Sequence, residues 1–323
     1  MAKILVMGGA GYIGSHTLKL LADKGYEVVA ADNLSCGHKE AVLNQELEIC
    51  DLMDKDSLRR VFAKHKIDTV IHFAAFSLVG ESVMQPAKYY HNNVIGTLNL
   101  LDIMFENQVD KIVFSSTCAT YGTPQYTPIN EAHPQAPINP YGQTKLTIEN
   151  IFKDYQKAYG LKYIALRYFN AAGADESGLI GESHNPESHL VPLVLQAISG
   201  KRENIKVFGT DYDTPDGTCL RDYIHVNDLA EAHRLAVERL DDYQGFINLG
   251  TGKPTSVMEI IRAAEEVSGK KCPVFIDKRR EGDPAVLYAD NAKAKEVLNW
   301  QPEYLDIKEI IRTAWNWELN RKF

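Results

Sequence analysis

Cysteine is scarce and unpaired in this chain. Its five residues, Cys36, Cys50, Cys118, Cys219 and Cys272, are scattered, odd in number and never arranged as C-x-x-C. That excludes a disulfide framework and a zinc knuckle, and points to reduced thiols in a cytoplasmic setting. None has a basic neighbour arranged to stabilise a thiolate, so each is expected to be a buried structural residue. An apolar stretch of the ~18 residues needed to cross a bilayer is also missing. Residues 3–7 already read as a strand, so no signal peptide is expected. Basic residues are not in excess either. A net charge of −8 and a pI near 5.7 argue against nucleic acid or an anionic membrane as partner, while leaving room for a local phosphate pocket.

What remains is ordinary for a well-filled globular core: 323 residues, 45% hydrophobic and 24% charged. Short apolar runs at 3–8, 26–32, 47–50, 68–75, 111–116 and 162–170 are rich in Val and Ile and hardly alternate with polar residues. Such runs suit strands of a parallel sheet covered on both faces. Amphipathic helical stretches separate them at 14–25, 56–65, about 86–107 and about 140–159. This alternation predicts an α/β fold with a doubly wound parallel sheet. After Asn170 the rhythm breaks into two long polar segments, 171–189 and 209–222, of the length expected for functional loops. The expected organisation is a nucleotide-binding domain over 1–170, rejoined by segments near 223–254, and a smaller lobe formed by 171–222 and 255–323.

The turn after the first strand, "GGAGYIGSH", spaces Gly8, Gly11 and Gly14 by three and leads into a helix. Glycines so placed permit a tight turn, close approach of backbone to a pyrophosphate, and close helix–strand packing. The helix N-terminus then offers free N–H groups to the phosphates. The next strand ends in Asp32, where a carboxylate can grip the adenosine ribose. It would repel a 2′-phosphate, and "NLSCGH" after it supplies no arginine, so NAD is expected and NADP disfavoured. Asp51, after the third strand, is placed either to touch the adenine or to cap the following helix.

"NPYGQTK" puts Tyr141 and Lys145 one helical turn apart, on one side of a helix opened by Asn139 and Pro140. Upstream, the strand "KIVFSST" ends in Ser115, Ser116 and Thr117, at the edge where open α/β sheets bind ligands. A free phenol has a pKa near 10, and an adjacent ammonium together with a cationic nicotinamide would lower it enough for proton transfer. The same spacing recurs at Tyr304 and Lys308, without a glycine loop or hydroxyl-tipped strand nearby, and is expected to be a surface pair.

Glycine loop, Ser/Thr-tipped strand and Y-x-x-x-K together resemble the extended short-chain dehydrogenase/reductase family. Within it, "HFAAFSLVGES", "SSTCATYG", "RYFNAAGA", "LRDYIHVNDLA" and "RREGDPAVLYAD" are similar to the UDP-hexose 4-epimerase branch over essentially the whole chain. The resemblance implies reversible inversion of UDP-glucose and UDP-galactose at C4, through a transient 4-keto sugar and tightly held NAD. It implies Tyr141 as acid/base, Lys145 on the nicotinamide ribose and Thr117 on the 4-oxygen. Cofactor contacts would come from the loop (Gly8, Gly11, Tyr12, Ile13, Gly14), from Asp32, Asn33, Asp51 and Leu52, and from Phe73, Ala74, Ala75, Asn92, Ser115, Tyr168 and Phe169. The UDP-sugar would meet Asn170, His189, Leu190, Arg221, Arg280, Asp283 and Leu287, the two arginines clamping the diphosphate. A homodimer through the helices at 86–107 and 140–159 is the family habit.

Three positions depart from the pattern. Ser77 stands where many members carry lysine, and His189 where an asparagine often meets the diphosphate. Leu287 replaces a bulky aromatic, which implies room for the 2-acetamido group of N-acetylated UDP-hexosamines. No metal is expected: His184 and His189 stand five apart in a loop without ordered carboxylates nearby. A related dehydratase or decarboxylase is disfavoured because Cys118, Ala119 and Thr120 follow Thr117 with no carboxylate. A UDP-uronate epimerase and a non-catalytic NAD sensor are the remaining alternatives.

Overall fold

The computed structural model describes residues 3–280 and 282–323. Its first half runs β1 (Lys3–Met7), α1 (Tyr12–Asp23), β2 (Glu27–Asp32), β3 (Leu47–Ile49), α2 (Lys55–Lys64), β4 (Ile67–His72), α3 (Val79–Met84), α4 (Pro86–Tyr89), α5 (Gly96–Glu106), β5 (Lys111–Thr117), α6 (Pro140–Tyr159) and β6 (Lys162–Tyr168). The second half adds β7 (Asn170–Ala172), α7 (Leu190–Ile198), β8 (Ile205–Phe208), β9 (Leu220–His225), α8 (Val226–Arg239), β10 (Gly245–Leu249), β11 (Pro254–Ser256), α9 (Val257–Ser268), β12 (Val274–Asp277), β13 (Val286–Leu287), α10 (Ala292–Leu298) and α11 (Ile307–Asn320).

Seven strands form one parallel sheet in the order β10-β6-β5-β4-β1-β2-β3. Within β1, Leu5 and Met7 enter the core on one face with Leu100, Phe114 and Phe152. Ile4 and Val6 enter the other with Leu18, Leu229 and Trp300. Both faces are covered, which is why the strands read as continuous apolar runs. Strand order reverses at β1, and the parallel strands all end at one edge. The ends of β1, β4, β5 and β6 therefore gather the glycine loop, Phe73–Ala75, Ser115–Thr117 and Tyr168–Asn170 along one crevice.

The apolar stretch 162–170 does not stay in one sheet. It leaves the main sheet after Tyr168, and Asn170–Ala172 pairs with β9 in a smaller sheet that also holds β11 and β13. From the segment expected to rejoin the main sheet, β10 becomes its edge strand and α8 packs with α1. The helix α7 went unread in the sequence, because "LVPLVLQAI" is apolar on all sides and contains Pro192. The stretch 86–107 is helical but includes a π-helical segment, Tyr90–Ile95, between α4 and α5, a distortion that recurs at functional sites. Tyr304 and Lys308 do not pair with one another. The Tyr304 ring stacks on His225 with centroids 3.7 Å apart, while Lys308 bonds Glu266.

A fully buried ion pair ties the helix α6 to the sheet. Arg167 grips Glu149 in two bonds of 2.8 and 2.7 Å. Ser116 and Gln135 donate to the same carboxylate, at 2.6 and 2.9 Å. The third guanidinium nitrogen donates to Tyr121, whose hydroxyl donates to Asn248. Every partner is in place, so removing one end alone leaves a buried charge uncompensated. Glu149→Leu alone is expected to cost about 3–5 kcal/mol and the double exchange Glu149→Leu/Arg167→Met markedly less, as urea unfolding would show; equal losses would refute the pairing argument. Burial also keeps four histidines neutral: His16 and His233 are lowered to about 4, and His72 and His225 to about 3. The unfolded chain binds these protons first, so their contribution is complete above the ordinary histidine value and fades as pH falls toward 3–4. The urea midpoint should drop between about pH 7 and about pH 5; a flat profile there would contradict this.

Candidate active site

The glycine loop is built for close approach. Gly8 has φ +81°, and a Cβ there would lie 2.6 Å from the Ala74 nitrogen; at Gly14 it would lie 2.1 Å from the Gly8 carbonyl oxygen. Phe73 and Ala74 both donate to the Met7 carbonyl, at 2.8 and 3.1 Å, which sets the end of β4 beside the loop. The Tyr12 hydroxyl donates to the Gly173 carbonyl at 2.6 Å and so ties the loop to the segment after β7. Ile13 packs on the core behind it.

Asp32 lies at the end of β2 and accepts the N–H groups of Ala10 and Leu34, at 3.0 and 2.8 Å. Burial raises its carboxyl and these bonds pull it back. Asn33 donates to Asp51 at 3.0 Å, and Asp51 also accepts the Met53 N–H. The cap of α2 is Asp54, which accepts from Asp56 and Ser57, so the capping role considered for Asp51 is filled elsewhere. Leu52 places its side chain in the core against Gly96. Among the described residues this edge presents a glycine cradle, an anchored acid and free helix N–H groups, a combination that fits a dinucleotide with a free ribose 2′-hydroxyl.

At the end of β5 the candidate reacting groups converge. Asn139 caps α6 by accepting the Gly142 N–H at 2.8 Å, and Pro140 supplies its first turn. Tyr141 and Lys145 therefore project from one side of this helix. The Lys145 ammonium is buried, donates to the Ser115 carbonyl at 2.7 Å and lies 4.6 Å over the Phe114 ring. Burial lowers it to about 7, against the upward pull of Glu149 one turn later. Burial also drives the Tyr141 phenol well above its ordinary value, with Tyr168 adding to the rise and the Thr117 hydroxyl opposing it. The expectation is that the ammonium and a cationic nicotinamide together lower the phenol; in the protein alone the Lys145 ammonium does not do so. It sits 6.0 Å from the phenol ring and is directed at a carbonyl instead.

Around this pair, Ser115 bonds the Tyr168 hydroxyl at 2.5 Å. Asn92, in the π-helical segment, donates to Asn93 at 2.9 Å. The buried Asn93 then clamps the backbone of Phe76 on both sides, at 2.9 and 3.0 Å. Sequence reading passed over both Asn93 and Glu149. The adjacent Asn92 and the one-turn spacing from Lys145 were the available signals. Phe169 is buried with Tyr121, Ile129 and Ala289, and Leu287 packs against that cluster together with Cys118. Burial raises the Cys118 thiol to about 12. Cys36, expected to be buried, is exposed.

The residues expected to hold the UDP moiety are only partly assembled. Arg221 bonds Asp283 and its own neighbour's carbonyl, Leu220, the latter at 2.7 Å. Leu287 stands opposite Arg221 in the β13–β9 register. Arg280 stacks over the Phe208 ring at 3.9 Å and does not join that pair. Asn170 opens β7 opposite Tyr223. Ser77 is exposed. His189 stands at the N-cap position of α7, just before Leu190, and its side chain makes no capping bond. Its Nδ1 lies 2.6 Å from Glu182 and 3.4 Å from Glu187. His184 lies 3.2 and 3.6 Å from the same two carboxylates. The ground for excluding a metal, a lack of ordered carboxylates, therefore does not hold.

No helix among the described residues is long and apolar enough to cross a membrane. Residues 4–250 match the NAD dependent epimerase/dehydratase family. The chain is 55% identical over 316 residues to a UDP-glucose 4-epimerase of Halalkalibacterium halodurans, covering 97% of this chain and 95% of that one. A crystal structure of UDP-glucose 4-epimerase from Brucella ovis in complex with NAD superimposes with a TM-score of 0.95, at 52% identity and 98% coverage of both chains. The UDP-Glc/GlcNAc 4-epimerase from Campylobacter jejuni superimposes with a TM-score of 0.87, at 41% identity, covering 99% of this chain and all of that one (100%). The sheet, the glycine cradle and these relatives agree: the chain belongs to the NAD dependent epimerase/dehydratase family.

Proposed function

We propose that this protein interconverts UDP-glucose and UDP-galactose by reversible inversion at C4, through a transient 4-keto sugar, with NAD held throughout. One observation carries the reading: Tyr141, Lys145 and Thr117 meet at the ligand edge of the sheet, in a chain collinear with relatives named for that reaction. NAD, when bound, would supply a reversible hydride acceptor and a positive ring that favours the ionised phenol.

Tyr141 takes the proton of the 4-hydroxyl as the carbon is oxidised, and gives it back when the carbonyl is reduced on the other face. Thr117 aligns the 4-oxygen. Lys145, fixed by the Ser115 carbonyl, holds the nicotinamide ribose. Asp32 takes the adenosine ribose. Arg221, Arg280 and His189 anchor the diphosphate while the sugar turns, and Asp283 releases Arg221 to hold a ribose hydroxyl. The lobe formed by 171–222 and 255–323 supplies these anchors. The free thiols fit a cytoplasmic enzyme. A homodimer is supported by the aromatic face of α5 and α6, where Phe105, Tyr155 and Tyr159 cluster with Tyr159 64% exposed.

Leu287 widens the proposal to N-acetylated UDP-hexosamines, in keeping with the relative named a UDP-Glc/GlcNAc 4-epimerase. Tyr141→Phe should lower turnover of UDP-galactose by about 10²–10⁴-fold while NAD content is retained; unchanged interconversion would end the proposed mechanism. The unmodified protein should epimerise both UDP-galactose and UDP-N-acetylgalactosamine. Leu287→Tyr should cut kcat/KM for the acetylated sugar about 10-fold or more, with a much smaller effect on UDP-galactose. Equal losses on both sugars would remove Leu287 from specificity.

A further inference from the structure

Four side chains of one loop bring their ligating atoms together: Glu182, His184, Glu187 and His189. All four atoms lie within 4.8 Å of one another. The nitrogen–oxygen separations run 2.6, 3.2, 3.4 and 3.6 Å. Tetrahedral ligands at roughly 2.0–2.1 Å from a zinc ion stand about 3.4 Å apart, so the cluster matches that spacing after small adjustments. Glu182 is 6% exposed. Its Oε1 and the Nδ1 of His184 are buried without an aligned hydrogen-bond partner among the described residues. The atoms approach each other closely yet do not point at each other, as ligands around a shared ion do.

Charge and surroundings agree. As metal ligands the two imidazoles are neutral, so with the two carboxylates the set carries −2, which a divalent cation cancels. Until an ion enters, burial opposes their charge but the carboxylates raise both imidazoles, His184 to about 9 and His189 to about 10. The ion would displace those protons. The mixed nitrogen and oxygen donors suit Zn²⁺ over Mg²⁺ or Ca²⁺, which take oxygen ligands. The loop is also held rigidly on both sides. Trp317 donates to the Glu182 carbonyl at 2.8 Å, Arg321 donates to the Ser183 hydroxyl at 2.7 Å, and the Glu187 carboxylate accepts the N–H groups of Ser188 and His189. A second cluster, Glu46, Glu48 and His65, lacks this character. Lys64 already occupies its carboxylates at 2.9 and 2.5 Å.

We infer that Glu182, His184, Glu187 and His189 form a structural site for a divalent transition metal, Zn²⁺ by preference. The ion would staple the loop between β7 and α7 into one shape beside the glycine loop, where the His184 ring meets the Tyr12 ring edge-on with centroids 6.1 Å apart. It would also fix His189 at the start of α7, leaving Nε2 free for the crevice. The inference does not rest on the proposed reaction, since its readouts are metal content and scattering.

The test is elemental analysis of the full-length protein after zinc supplementation and exhaustive dialysis, with anomalous diffraction at the zinc edge. About one Zn²⁺ per chain and an anomalous peak between the four side chains are expected. Co²⁺ exchanged into the site should give visible d–d absorption of a tetrahedral ion, and His184→Asn/His189→Asn should reduce zinc to background. If that variant does not fold, the unmodified protein still decides. No retained zinc, or a peak elsewhere on the molecule, would overturn the site.

Discussion

The Glu149–Arg167 pair is the constraint on which the geometry of the candidate site depends. It lies between the helix that carries Tyr141 and Lys145 and the strand that leads to Tyr168, and it takes in Ser116 from the strand between them. A carboxylate and a guanidinium enter a dry interior only if every donor and acceptor is matched, and here Gln135, Tyr121 and Asn248 complete the set. Such a pair adds little net stability compared with apolar packing, but it tolerates few alternative arrangements. The helix is thereby held in one register against the sheet. Lys145, one turn before Glu149, inherits that position and the carboxylate's influence on its charge.

The same burial that positions the candidate pair, Tyr141 and Lys145, opposes charge on both. Tyr141 is raised and Lys145 is lowered, each toward its neutral form. A cationic ring brought in by a bound dinucleotide would favour the ionised phenol, though not the ammonium beside it. Specific chemistry thus follows from low dielectric and fixed partners together, rather than from the Tyr–Lys spacing. The repeat of that spacing at Tyr304 and Lys308 makes the point, since those side chains face a histidine ring and a separate glutamate.

The fold divides labour between its seven-stranded and its four-stranded sheet. The large parallel sheet gathers loop ends along one edge, and the small sheet begins where Asn170–Ala172 crosses over to β9. Arg221 and Leu287 then face each other across adjacent strands, which brings the proposed diphosphate anchor and the proposed specificity residue to one wall. The loop between β7 and α7 is packed, not loose: Gly181 lies under Trp317 so closely that a Cβ would fall 2.3 Å from its ring.

By itself the sequence determined the doubly wound sheet, the glycine turn with its acid, and the helix presenting Tyr141 and Lys145. Each depends on short-range spacing or on a hydrophobic period, and those survive in one dimension. Helix α7 was lost because uniform apolarity carries no period, and the crossing at Phe169 because an apolar run does not say which sheet it joins. The partners of charge were decided only by tertiary structure: Glu149 with Arg167, Arg221 with Asp283, and two glutamates closing on His184 and His189. So were the protonation tendencies of Tyr141 and Lys145. These depend on burial and on through-space distances between residues far apart in the chain, quantities that come into being when the sheet is assembled.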